Sequence, residues 1–148
     1  MEIRPILFSD TLSLRHQILR PDLEFDQCIY PGDKMETTHH LGGFIEGNHL
    51  GILTIYKRSK PEEFEGQGYQ IRAMATCPTV RQQGMGLKLL KTAEKIAFES
   101  GASYLWANAR KTAIGFYQKA GYTVDNHEFN IAGVGKHHLV WLTRSAFQ

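Results

Sequence analysis

Cysteine is scarce: Cys28 and Cys77 are the only two in 148 residues, and they lie too far apart to form a metal-ligand pair. A reduced, cytoplasmic setting is the expectation. Long apolar runs are missing as well, since none approaches the ~18–20 residues needed to cross a bilayer. The opening Met1-Glu2-Ile3-Arg4-Pro5 lacks the apolar core of a secretory leader and reads as the start of the fold. No membrane partner is expected. Charge of one sign is also wanting: 17 Lys and Arg against 15 Asp and Glu leave a formal +2, with a pI near 8.6. Nucleic-acid binding calls for a concentrated basic stripe, and the basic residues here are dispersed. The mild positive balance still suits an anionic cofactor. Repeats, low-complexity tracts and linkers are absent. What is present is an ordinary globular mixture, 42% apolar and 22% charged, expected to form one domain over 1–148.

Along the chain, Ile3 to Phe8 reads as a strand, and Ser9-Asp10 offer an N-cap. The helix that follows, with Leu12, Leu14, Ile18 and Leu19, should stop at Arg20-Pro21. From Asp22 to Thr38 the chain is irregular, with a turn at Pro31-Gly32-Asp33. His39 to Glu46 and His49 to Lys57 form a hairpin about Gly47-Asn48. The acidic stretch Ser59 to Gly68 is a loop, and Tyr69 to Cys77 is a strand ended by Pro78. Leu89, Leu90, Ala93, Ile96 and Ala97 then share one helical face, with Gly101 as the C-cap. A short strand, Tyr104 to Ala107, leads to a second helix bearing Ala113, Phe116, Tyr117 and Ala120 and closed by Gly121. Tyr122 to Asp125, Phe129 to Ala132 and His138 to Thr143 are the last strands. The pattern is mixed α/β, a strand-helix-strand-helix core between antiparallel ends.

The most informative stretch joins a strand to the long helix through Arg81-Gln82-Gln83-Gly84-Met85-Gly86-Leu87. Gly84 and Gly86 let a ligand approach the backbone closely. The amides of the first helical turn have no internal partners, and with the helix dipole they suit a phosphate or pyrophosphate. Arg81 adds a positive charge. Taken alone, two glycines serve equally well as a sharp turn. Two phosphate motifs are excluded: no P-loop run exists, and a dinucleotide fingerprint needs a third glycine where Leu89 stands.

Arg81-Gln82-Gln83-Gly84-Met85-Gly86 resembles the Arg/Gln-x-x-Gly-x-Gly pyrophosphate loop of GNAT-type N-acetyltransferases. Ala113-Ile114-Gly115-Phe116-Tyr117-Gln118-Lys119-Ala120-Gly121-Tyr122 is similar to the later motif of that family, and one helix and one strand separate the two motifs, as they do there. The resemblance implies the GNAT fold: a central mixed, mostly antiparallel sheet of six to seven strands with helices on both faces. The implied activity is transfer of the acetyl group of acetyl-coenzyme A to a primary amine by direct attack. The implied acceptor is a small molecule or a peptide, and a homodimer is common in the family. The chain departs from the pattern where many relatives have asparagine, at Arg110; Asn108 lies two residues earlier, and either could face the cofactor.

The same resemblance implies a pantetheine arm beside Met74, Ala75 and Thr76, paired like an added strand, and a pyrophosphate on the amides from Gln82 to Leu87. Asn108, Phe116 and Tyr117 complete the implied cofactor contacts. Tyr117 is the implied acid that assists departure of the thiolate, since a phenol near pKa ~10 stays protonated at neutral pH and can hydrogen-bond a thiolate whose parent thiol lies near ~8.5. Its spacing with Ala113 and Phe116 equally fits a core residue. The base is open among His39, His40, Glu46, His49, Glu128, His137 and His138. The adjacent His39-His40 and His137-His138 point to opposite strand faces, so no metal is assigned. Cys77 is read as packing. Asp22, Glu24, Asp26 and Tyr30 lie where the resemblance places the acceptor, and the Glu62, Glu63, Glu65 loop hints at a cationic one. The alternative from another class is a non-catalytic module that senses acyl-coenzyme A.

Overall fold

The computed structural model describes residues 1–147, and its architecture is organised around a strand covered on both faces. Seven strands form one sheet: β1 (Glu2–Pro5), β2 (His39–Ile45), β3 (Asn48–Lys57), β4 (Gly68–Thr76), β5 (Tyr104–Arg110), β6 (Thr123–Ile131) and β7 (Gly135–Thr143). Their order is β1-β2-β3-β4-β5-β7-β6, and every pairing is antiparallel except β4 with β5. In β3 every residue from Gly51 to Tyr56 is buried, which explains its nearly unbroken apolar reading.

Three helices cover the sheet. On one face lie α2 (Met85–Glu99) and α3 (Ile114–Lys119); on the other lies α1 (Leu12–Leu14), which runs on through a widened π turn, Arg15–Leu19. The face of α2 expected from its spacing is the buried one: Leu89, Leu90, Ala93 and Ala97 are fully enclosed. Each such leucine contributes about 1.5–3 kcal/mol. Met85 anchors the helix start against β2 and β3, where a Cβ on Gly43 or Gly51 would come within 2.7 or 2.6 Å of its sulfur. The helix ends as expected at Gly101, in the left-handed region (φ 97°), with Ala102 N–H donating to the Ala97 carbonyl at 3.0 Å.

Several boundaries differ from the sequence expectation. β1 stops at Pro5, because Phe8–Thr11 forms a 3-10 turn in which Thr11 Oγ1 donates to the Phe8 carbonyl at 2.7 Å. The β2–β3 turn is Glu46-Gly47, both at positive φ, and Asn48 already pairs with Ile45. The expected strands Tyr122–Asp125 and Phe129–Ala132 are one strand, β6, interrupted by a bulge between Val124 and Glu128 where exposed polar residues break the ladder.

Candidate active site

Two irregularities open the middle of the sheet. β4 and β5 pair only from Gly68 to Gln70 and from Tyr104 to Trp106; beyond these three pairs the strands part. Opposite Leu53, β4 carries a bulge: Ile52 pairs with Ala75 and Thr54 with Arg72, so Ala73 and Met74 share one partner position. Ala73 sits at φ 54°, a strained value for a residue with a side chain. From Ile71 to Thr76 the β5-facing edge of β4 has no ladder partner, which leaves backbone donors and acceptors for an added strand. The resulting cleft has a volume of about 480 Å³.

On the α2 face it is bordered by Met74, Ala109, Ala113 and Tyr117. Tyr117 is 5% exposed and packs edge-on against Phe116 and Tyr122, at 5.4 and 5.2 Å between ring centres. Among the described residues nothing hydrogen-bonds its hydroxyl, yet that oxygen is not sealed from solvent. Burial pushes the phenol above its ordinary 10.0, so it stays protonated and can donate. The core and site readings of Tyr117 are therefore compatible: the ring packs while the hydroxyl borders the cleft.

The glycine loop adjoins this face. A 3-10 turn, Pro78–Val80, leads to Gln82 and Gly84, both at positive φ (68° and 87°), and then to α2. The first intrahelical bond runs from Lys88 N–H to the Gly84 carbonyl at 3.0 Å, which leaves the Met85, Gly86 and Leu87 amides without intrahelical acceptors. A Cβ on Gly86 would meet only the Phe116 ring, at an ordinary 3.5 Å, so internal packing does not require glycine there. The Met85 side chain points into the core, and only its backbone amide remains for an anion. Thr76, Arg81, Gln82, Gln83 and Leu87 lie along the strand end, loop and first turn, outside the lining of the cleft itself.

The opposite face of the cleft is bordered by Leu19, Arg20, Tyr30, Arg72, Asn108, Arg110 and His137. Asn108 and Arg110 alternate with the core residues Ala107 and Ala109, so both side chains project to this second side. Of the expected bases only His137 borders the cleft. Its Nδ1 bonds the Gly135 carbonyl at 2.8 Å, which fixes Nδ1 as the donor and leaves the Nε2 lone pair free in the neutral ring. The others are engaged elsewhere. His40 is buried between Thr54 Oγ1 and the Asp33 carbonyl, at 2.9 and 2.8 Å. His49 holds the Gly51 carbonyl at 2.9 Å, His39 lies beside Tyr69, and Glu46 is in a turn. Glu128 pairs with Lys111, Lys136 and His138 outside the cleft.

Of the acids expected near the acceptor, none borders the cleft: Asp22 is held by Arg20, Glu24 caps the 3-10 turn Phe25–Cys28, and Asp26 lies within that turn, exposed. Glu62, Glu63 and Glu65 are also remote. Their loop docks where β4 and β5 still pair, through Phe64 on Tyr104 and Trp141 and through Lys60 N–H on the Tyr104 hydroxyl at 2.7 Å. The hint of a cationic acceptor from that loop is thereby removed. No cluster of metal-ligating side chains occurs among the described residues, and no helix there is long and apolar enough to cross a membrane.

Sequence reasoning missed the support beneath this site. Arg15, fully buried, donates to Asp33 through two nitrogens at 2.7 and 3.0 Å, and also to Thr54 Oγ1 and the Cys28 carbonyl. Asp33 accepts from the Tyr56 hydroxyl at 2.6 Å and from Tyr30 N–H at 2.7 Å. This network pins the irregular 22–38 segment to the sheet and sets Tyr30 at the edge of the cleft.

Comparison with known proteins places this geometry in context. The Acetyltransferase (GNAT) family matches residues 5–122. An N-acetyltransferase of Bacillus subtilis (strain 168), YitI, is 37% identical over 143 residues, covering 97% of this chain and 96% of its own. An aminoglycoside 6'-N-acetyltransferase solved with coenzyme A superposes with a TM-score of 0.75 at 12% identity, covering 97% of each chain. Escherichia coli ElaA gives 0.75 at 14% identity, covering 95% of this chain and 99% of its own.

Proposed function

Because this chain belongs to the Acetyltransferase (GNAT) family, we propose that it is an enzyme of a single domain that transfers the acetyl group of acetyl-coenzyme A to a primary amine by direct attack. The observation that carries this reading is the parting of β4 from β5 beside the Ala73 bulge, with the Tyr117 hydroxyl unpartnered on one side and His137 Nε2 free on the other. The residues fit the co-substrate: an open strand edge for the pantetheine amides, and bare amides at the start of α2 beside Arg81 for the pyrophosphate.

Acetyl-coenzyme A supplies an activated acetyl thioester; as the amine nitrogen bonds the acetyl carbon, the carbon–sulfur bond breaks and the sulfur departs with its electron pair. An N–H of Met74 or Ala75, on the open edge, stabilises the charge that builds on the carbonyl oxygen. Tyr117 gives its proton to the sulfur. Held protonated by its burial, the phenol hydrogen-bonds the sulfur as negative charge develops there, and the proton follows as that charge grows. His137 Nε2 takes the proton that the amine loses. Solvent then reprotonates Tyr117 and relieves His137, leaving amide and thiol as products.

Thermal unfolding with acetyl-coenzyme A, coenzyme A, ATP and NAD supplied separately tests the cofactor. Ligand at a hundred times its Kd adds about 2.7 kcal/mol, enough to move a melting curve visibly. Stabilisation by both coenzyme A species and not by NAD is expected; no shift with either overturns the reading. Release of free thiol with an amine then separates an enzyme from a sensor.

A further inference from the structure

The second side of the cleft carries three arginines and, among its lining residues, no carboxylate. Arg20 is already satisfied, since its Nε and Nη2 donate to Asp22 at 3.1 and 2.9 Å. The other two are not. Among the described residues no carboxylate pairs with Arg72 or Arg110. Arg110 makes one long bond, 3.4 Å, to the Leu19 carbonyl. Arg72 packs its guanidinium on the Tyr30 ring, 4.6 Å from the ring centre, with no hydrogen-bond acceptor among the described residues. Tyr30 is held in turn by Asp33 and by Arg15, whose guanidinium lies 4.6 Å from the same ring. Arg72 therefore rests on a braced platform with its donors unspent.

Two unpaired guanidiniums, one from each parted strand, make a cleft wall that repels a polycation and attracts an acid. The phosphates of the cofactor do not account for them. Arg72 shares its face with Thr54 and Arg15, whereas the α2 N-terminus and Arg81 lie across the sheet. Each guanidinium presents a planar fork of N–H groups that matches the two oxygens of an oxyacid.

We propose that the acceptor is a small amine that also bears an acid group, carboxylate or phosphate, gripped by Arg72 and Arg110 while its nitrogen reaches His137 and the Ala73 bulge. This inference rests on the acyltransferase reading above. A single acceptor molecule thus meets positive charge at its acid end and a proton acceptor at its amine end.

The test compares acceptors matched in their amine, by thiol release from acetyl-coenzyme A: the twenty amino acids against their carboxamides, phosphoethanolamine against ethanolamine, and spermidine. The expected result is a kcat/KM at least tenfold higher for an acid than for its neutral partner; the two series distinguish carboxylate from phosphate. Spermidine or the neutral amines serving as well as the acids overturns the inference. So does failure of every acid in a protein that melting curves show to bind acetyl-coenzyme A. Failure to bind acetyl-coenzyme A overturns the acyltransferase reading instead. With the best acid, Arg72→Gln should bring the acid-to-neutral ratio toward one, chiefly through KM, and Arg72→Lys should restore part of it. An equal loss with both partners in Arg72→Gln, its fold verified by melting, also overturns the inference.

Discussion

Arg15 and Asp33 meet as a two-pronged ion pair, 2.7 and 3.0 Å, in a place where neither side chain touches solvent. Burial by itself would raise the Asp33 carboxyl, but hydrogen bonds from Arg15, Tyr56 and the Tyr30 N–H outweigh it and hold the group below its ordinary 3.8. Removing one member leaves the other charged and buried. Asp33→Asn should therefore cost about 3–5 kcal/mol in urea unfolding. The depressed carboxyl also fixes the direction of the acid response: its stabilisation is fully present above pH 3.8 and falls away as pH drops through the lower folded value. Unfolding midpoints measured from pH 6 down to pH 2 should show that loss in the parent and a flatter profile in the variant.

Tyr117→Phe removes a hydroxyl that no described residue hydrogen-bonds, so stability should change by less than about 1 kcal/mol. Turnover should fall about 100-fold with the Kd for acetyl-coenzyme A preserved. Steady-state rates beside calorimetric titration separate the two effects. An undiminished rate would remove Tyr117 from the chemistry.

His137→Gln should slow acetylation most at neutral pH. An alkyl amine of pKa ~10.4 is only about one part in a thousand free at pH 7, and that fraction rises about tenfold per pH unit. If His137 relays the proton of the amine, the deficit of the variant shrinks steadily as pH approaches 10. A constant deficit across that range would mean that the imidazole serves packing against Phe129 rather than proton transfer.

Gly86→Ala separates the needs of the fold from those of a ligand. The added methyl meets only the Phe116 ring at an ordinary distance, and alanine favours a helix over glycine by roughly 1 kcal/mol. Melting temperature should hold or rise, while the Kd for coenzyme A increases about tenfold as the methyl crowds the amides. Unaltered affinity would place the pyrophosphate elsewhere.

Much of the frame was legible because it obeys short periods. The buried stripe of α2 recurs every three to four residues, the Gly101 stop is local, and the glycine loop spans six positions. The packing of the Tyr117 ring was legible through its spacing with Ala113 and Phe116. What escaped has long range or breaks local rules. Arg15 and Asp33 are 18 residues apart, and each reads by itself as surface charge. Glu94 is fully enclosed in α2 because the Tyr122 hydroxyl, 28 residues on, donates to it at 2.8 Å. The Ala73 bulge leaves no mark, since alanine does not advertise a left-handed backbone. His137 could not be ranked above six rivals until the insertion of β7 between β5 and β6 brought it beside Arg110.

The parting of β4 and β5 also governs traffic. The cleft passes through the thickness of the sheet, with Tyr117 toward one doorway and Arg72 toward the other. Under the proposed reaction, two reactants arriving by separate doors need not queue. Neither must depart before its counterpart docks, and a bulky spent carrier lingering at the first door leaves the second unobstructed.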